Sequence, residues 1–135
     1  MTPAEAFAAV ALVAVACDGV LDREEARALR GQLEPRTPFR DQSESVMGEL
    51  FDGLLRTLRT KGADPLLAEA LGHLTPDQQE TALAMAAQLV HADRVVEPAE
   101  RELLEHMANQ LSVPAERSQQ ILDVIAVLNR DSLAP

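Results

Sequence analysis

The chain has 135 residues and a formal net charge of −10, with 22 acidic and 12 basic side chains. This length is that of one ordinary domain, and the charge disfavours nucleic acid and anionic membrane surfaces as partners. The nearest approach to a basic patch is the short segment from Arg56 to Lys61, which contains no aromatic residue. We therefore expect no nucleic-acid partner, and the partners that suit this charge are cations or basic protein surfaces. Composition alone favours the alternative that the acidic surface only keeps the chain in solution.

Hydrophobic residues make up 47% of the chain but aromatic residues only 2%, so the core must be aliphatic. Its alanines and leucines favour helices over strands. Cys17 is the single cysteine, which excludes an internal disulfide and fits a reducing cytoplasm. The longest apolar run, residues 6–17, is too short to span a bilayer and has no positive leader. We therefore expect neither a transmembrane helix nor a signal peptide.

Capping signals predict the first two helices. Thr2 begins a Thr-Pro-Ala-Glu sequence, which is typical of a capping box, and this helix runs to about Cys17. Asp22 and Glu25 repeat the pattern at the start of helix 2. Residues 34–42 contain two prolines and little periodicity, so we expect a loop there.

Five more helices are predicted in the rest of the chain. Helix 3 is expected over residues 43–61, and Gly62 ends it. The apolar residues at helical spacing in helix 3 are Val46, Leu50, Leu54 and Leu58. The later helices begin at Asp64-Pro65, Thr75-Pro76, Glu97-Pro98 and Ser112–Pro114. Helix 7 has an apolar face, expected in the core, of Ile121, Val124, Ile125 and Leu128. Seven helices with short connections predict an all-α fold, a single bundle domain over residues 1–135.

The chain also repeats a helix–acidic turn–helix unit. Residues 14–29 read AVACDGVLDREEARAL, and residues 89–104 read LVHADRVVEPAERELL. Asp18 aligns with Asp93 at an offset of 75 residues (93 minus 18), and acidic and apolar positions agree at the same offset. This agreement predicts an internal duplication, although two copies are too few for a solenoid.

The two acidic turns form a candidate metal site. Asp18 and Asp93 end their incoming helices, where the helix dipole disfavours a carboxylate by about 0.3–1 kcal/mol. Each also continues the apolar face of its helix, so we expect it to point toward the domain interior or its rim. Clustered carboxylates suit Ca²⁺, Mg²⁺ or Mn²⁺. The candidate ligands are Asp18, Asp22, Glu25, Asp93, Glu97 and Glu100.

The same carboxylates have a purely structural interpretation. An aspartate before a glycine can accept backbone amides in an Asx-turn, and the acidic residues that follow each turn can cap a helix. We do not expect a self-contained EF-hand, because two of its ligand positions would be Ala14 and Ala16, whose side chains cannot coordinate a metal. A metal would therefore need ligands from both units, with His91 as a softer addition.

No enzymatic motif accompanies the acidic turns. The six glycines are scattered, so no phosphate-binding loop is present, and there is no nucleophile motif of the G-x-S-x-G type. None of the three histidines, His73, His91 and His106, has a serine or cysteine in a recognisable partner context. We therefore expect a protein that is not an enzyme.

The duplicated pattern resembles the TerB-like tellurite-resistance family. The segments that carry the resemblance are Ala14 to Glu25 and Leu89 to Glu100, followed by Leu103 to Leu111 and a helix that begins at a proline. In the second unit Arg94 stands where the family pattern has glycine, so the two halves need not act alike.

The resemblance implies a seven-helix fold and an acidic surface with the capacity to bind a metal. It also implies a role in tellurite or general stress response in bacteria. The implied location is the cytoplasm, where a protein partner would hold the chain at the inner membrane. If the apolar stripe of helix 7 were exposed, it would be a partner-binding or homodimer face.

Overall fold

The computed structural model describes residues 1–16, 18–92 and 95–135, and this part of the chain contains seven α-helices and no strand. The helices are α1 (Pro3–Ala16), α2 (Arg23–Leu33), α3 (Glu44–Lys61), α4 (Ala63–Gly72), α5 (Pro76–His91), α6 (Pro98–Asn109) and α7 (Ala115–Leu128). One 3₁₀ turn, Phe39–Asp41, interrupts the predicted loop before α3. The predicted all-α fold with seven helices is confirmed.

Helix α1 lies at the centre of the bundle. Its sequence, PAEAFAAVALVAVA, is apolar on almost every side, and a helix of that kind must be surrounded by others. It packs against α2, α3, α4, α5 and α6, with its most extensive contacts to α5 and α4. Neither α1 nor any other helix in the described residues is long and apolar enough to cross a membrane.

Helix α5 is the second core helix and packs against α1, α7, α6 and α2. Its buried side chains include one polar residue, Gln79. The Nε2 of Gln79 donates to the Leu71 carbonyl at 2.9 Å, and its Oε1 accepts the Ser112 amide at 2.8 Å. Gln79 therefore joins α5 to the end of α4 and to the segment before α7.

The buried face of α3 differs from the predicted one. Leu54 and Leu58 are buried as expected, but Val46 is exposed, and the buried residues of the first half are Met47 and Phe51. Residues spaced strictly by four drift round a helix by about 40° per step, because 3.6 residues make one turn. The alternating steps of four and three in 47, 51, 54 and 58 keep the side chains on one face.

The expected core face of α7 is only partly correct. Val124 and Leu128 are 63% and 68% exposed, and the other two predicted residues are half-buried. The buried side chains are instead Ser118 and Leu122. Because α7 lies at the outside of the bundle and packs mainly against α5 and α6, only one side of it is covered.

Two helix starts also differ slightly from the prediction. Helix α4 begins at Ala63, before the predicted Asp64-Pro65, because Gly62 joins it directly to α3. Gly62 has a φ of 91°, which glycine adopts readily, and its amide donates to the Leu58 carbonyl at 2.9 Å. The start of α7 at Ala115 lies just after the predicted segment.

The helices that flank the two acidic turns have corresponding boundaries. α1 ends at Ala16 and α5 at His91, while α2 begins at Arg23 and α6 at Pro98. The two helix ends differ by 75 residues (91 minus 16), and so do the two helix starts (98 minus 23), which is the offset of the sequence repeat. The structure thus contains two helix–turn–helix units of matching outline, and their origin by duplication stays a prediction.

Candidate functional site

The first acidic turn connects α1 to α2. Asp18 accepts the backbone amide of Val20 through Oδ1 at 3.0 Å, which is the local bond expected of an Asx-turn. The residue is exposed, so its carboxylate lies at the surface and not in the interior. A carboxylate has two oxygens that accept several hydrogen bonds in total, so this bond leaves Asp18 with further acceptor capacity.

A capping box follows at the start of α2. The Asp22 carboxylate accepts the Glu25 amide at 2.8 Å, and the Glu25 carboxylate accepts the Asp22 amide at 3.0 Å. This reciprocal pair satisfies two of the amides that a helix N-terminus leaves without intrahelical partners. The predicted capping role of both residues is confirmed.

The carboxylates of the first turn interact electrostatically. Burial raises the pKa of the Glu25 carboxyl, and the negative charges of Asp22 and Asp18 raise it further, while the hydrogen bond from the Asp22 amide acts in the opposite direction. Each of these causes acts on the ionised form of Glu25. The first turn therefore holds three acidic groups in a region where an added positive charge would be stabilising.

Arg59 of α3 holds the first turn in place. Its Nε donates to the carbonyl oxygen of Gly19 at 2.9 Å. Gly19 has a φ of 84°, and a Cβ at this position would lie 2.9 Å from Cγ of Arg59. In the sequence, Arg59 is notable only as part of the short basic segment from Arg56 to Lys61. The separation of 40 residues between the two partners explains why no local signal indicated this contact.

The second acidic turn connects α5 to α6. Asp93 and Arg94 lie outside the described residues, as does Cys17. Glu97 and Glu100 form a capping box at the start of α6, in which the Glu97 amide donates to Glu100 Oε1 at 3.0 Å. The capping prediction is therefore confirmed in this unit too, and it uses the same positions as in the first.

The family model for tellurite resistance protein TerB matches residues 4–123. The chain belongs to the TerB family. No curated protein and no solved structure matches it. The family match covers both acidic turns and all seven helices of this TerB domain except the first residue of α1 and the last residues of α7.

The predicted metal site of the TerB domain draws its ligands from both turns. In the part of the chain that the structure describes, no group of three or more His, Cys, Asp or Glu side chains is arranged to hold a metal ion. Asp93 is not included in that part, so the predicted six-residue set is incomplete there. Metal binding by the TerB domain therefore stays a prediction.

Each turn of the TerB domain also exposes a valine. Val20 is 63% exposed and Val95 58% exposed, and the two occupy corresponding positions in the repeat. The sequence gives these two apolar repeat positions no surface role. Single exposed apolar side chains are common on protein surfaces, so their exposure alone does not assign a binding role.

Proposed function

We propose that this TerB-family chain is a non-enzymatic acidic module in tellurite or general stress resistance, which binds a divalent cation at its two turns and contacts protein partners. The observation that carries the proposal is the placement of three carboxylates in the first turn, where Asp22 and Glu25 share a capping box and Asp18 closes the preceding turn. Burial, and then the negative charges of Asp22 and Asp18, raise the pKa of Glu25. A cation between the turns would relieve this repulsion. Membership of the TerB family supports the resistance role.

The cation would be Ca²⁺, Mg²⁺ or Mn²⁺, since each of these binds carboxylate oxygens. In the first turn the hydrogen bonds engage Oδ1 of Asp18, Oδ1 of Asp22 and Oε1 of Glu25. The other oxygen of each carboxylate would supply the ligand, so the caps would persist when the metal binds. The second turn would contribute Asp93, Glu97 and Glu100.

A module without metal is the alternative, in which the acidic residues only cap helices and the protein acts through partner binding alone. The two capping boxes favour it, because they give four of the six carboxylates a local structural role. The bond from the Val20 amide gives Asp18 such a role as well. Val20 and Val95 would then contact the partner directly.

Calorimetric titration of the chelator-treated protein distinguishes the two functions. We expect the binding of Ca²⁺, Mg²⁺ or Mn²⁺, at up to millimolar concentration, to release or absorb heat. The same ion should raise the melting temperature more than NaCl of equal ionic strength does. The double substitution Asp18→Asn with Asp93→Asn should abolish both effects. The control is Glu49→Gln with Asp52→Asn, which removes the same charge from the exposed surface of α3 and should leave them intact.

If no ion produces heat or a change in melting temperature, the cation proposal is rejected and the purely structural module is favoured. If the α3 control loses the response as fully as the turn variant, the effect comes from overall charge and not from a site.

The protein partners would have basic surfaces, and the location would be the cytoplasm, peripheral to the inner membrane through such a partner. Cell fractionation of the tagged chain tests this placement. We expect part of the chain to sediment with inner membranes and to be released by high salt, because charge-based contacts are screened. Association that resists high salt would contradict a charge-based contact. The exposed stripe of α7 is the proposed face for a homodimer, which sedimentation analysis would detect.

A further inference from the structure

A groove of about 670 Å³ lies at the end of the bundle where α1 and α5 begin. Both helices run away from it toward the acidic turns at their other ends. α1 alone has 14 residues, and a helix of that length extends about 21 Å at 1.5 Å per residue. The groove is therefore separate from the candidate metal site, and an inference about it does not depend on metal binding.

Apolar side chains form most of the lining, including two of the three phenylalanines of the chain. The rings of Phe7 and Phe39 have their centroids 6.5 Å apart, and Leu74 lies in the same wall. Ligand-binding clefts commonly have volumes of roughly 300–1,000 Å³, apolar walls and a few polar groups that fix orientation. This groove has the same combination.

Arg36 supplies the positive group of the groove. Its Cζ lies over the Phe7 ring, 5.6 Å from the centroid, which is within the range of a cation–π contact. None of the salt bridges among the described residues involves Arg36. A guanidinium held in this way presents a planar fork of N–H donors that matches a carboxylate.

Two further features determine how much negative charge the groove accepts. The first turns of α1 and α5 line it, and each is already capped by its own side chains, α1 by Thr2 and Glu5 and α5 by Thr75 and Gln78. Asp77 also lines it and offsets the charge of Arg36, so the lining side chains have no net formal charge. A single carboxylate can pair with Arg36, whereas a second one would meet no further cation in the lining and would be repelled by Asp77.

We propose that this groove binds a small monocarboxylate with an aromatic or branched apolar body. The carboxylate pairs with Arg36, and the body packs against Phe7, Phe39 and Leu74. Neither the TerB family match nor the acidic turns assign this site.

Amide chemical-shift titration of the full chain with three probes tests the proposal. The probes are 3-phenylpropionate, the neutral 3-phenylpropan-1-ol and the dianionic phenylsuccinate. We expect 3-phenylpropionate to shift the amides of Phe7, Arg36 and Thr81 saturably. It should bind at least tenfold more tightly than the alcohol and more tightly than phenylsuccinate. Equal binding of acid and alcohol, or shifts confined to the acidic turns, would overturn the proposal.

Arg36→Gln should lower the affinity for 3-phenylpropionate to that of the alcohol, with the alcohol itself unaffected. Arg36→Lys retains the charge but not the planar fork, so its affinity should be intermediate. Arg40→Gln is the matched control, since Arg40 is exposed and does not line the groove, and it should bind as the unmodified chain does. Undiminished binding by a folded Arg36→Gln variant, with an unchanged melting temperature, would reject the assigned role of Arg36.

Discussion

At the scale of single residues, Gly19 and Arg59 show how the first acidic turn keeps its shape. The positive φ of Gly19 is costly for any residue with a Cβ, and the Arg59 side chain occupies the space where that Cβ would lie. The same arginine donates to the Gly19 carbonyl. Conformation and packing therefore both require glycine here.

Replacing Gly19 with alanine should lower the free energy of unfolding by about 1–2 kcal/mol, the usual cost of a left-handed conformation in an L-residue. Urea denaturation provides the measurement. Gly48→Ala is the control, because Gly48 lies within α3 with open space around it, and alanine there should stabilise by about 0.5–1 kcal/mol. A Gly19→Ala variant as stable as the unmodified chain would contradict the described turn.

Glu25 makes a pH-dependent contribution to stability. Because its pKa is raised in the folded state, the folded protein holds this proton more tightly than the unfolded chain does. The sign of the linkage is that stability falls as the pH rises from the usual glutamate value of 4.5 through the higher folded value. The ionised carboxylate therefore carries a cost at neutral pH.

Glu25→Gln should remove this cost while its amide oxygen continues to accept the Asp22 amide. We expect the variant to melt at a higher temperature than the unmodified chain at pH 7, with the difference vanishing as the pH falls below 4.5, the ordinary pKa of glutamate. Thermal melts across this pH range provide the comparison. Glu24→Gln, an exposed neighbour in the same helix turn, controls for the change in net charge. If the difference in melting temperature between the variant and the unmodified chain did not depend on pH, ionisation of Glu25 would have no effect on stability.

At the scale of secondary structure, local signals located the helices well but not their buried faces. Thr2 and Glu5 form the predicted capping box, with bonds of 3.0 and 3.1 Å, and the boxes of α2 and α6 are present too. A cap depends on residues at most three positions apart, so the sequence contains all the information. Whether Val124 is buried depends on which helix lies against it, and the sequence pattern does not contain that information.

Gln79 connects elements that are distant in sequence, and its removal tests that connection. Gln79→Met keeps a similar volume but leaves the Leu71 carbonyl and the Ser112 amide without this partner. The expected loss is about 1–3 kcal/mol in the free energy of unfolding, the usual cost of an unsatisfied buried polar group. Urea denaturation should show it, whereas Gln120→Met on the exposed side of α7 should change stability little. A loss of equal size in both variants would exclude a specific bridge.

At the scale of the whole molecule, the charge of −10 acts on the fold as well as on its partners. Like charges on one compact surface repel, and salt screens them with a Debye length of about 10 Å at 0.1 M. We expect the melting temperature to rise when NaCl is increased from about 20 mM to about 500 mM. A melting temperature that falls instead would show that favourable ion pairs outweigh the repulsion. A divalent ion that binds at a specific site must therefore raise the melting temperature more than this general effect of salt does.

The sequence by itself determined the helical class, the capped helix starts, the acidic turns and the family resemblance, because each depends on neighbouring residues or on a repeated pattern. Which residues contact one another follows only from the packing of the helices. The tertiary structure showed Asp18 at the surface, Arg59 over Gly19, Gln79 between three segments, and a groove with Arg36 at the far end of α1. Apart from the bond between Gln79 and Leu71, these contacts join residues about 30 or more positions apart, and only the packing of the helices brings such residues together.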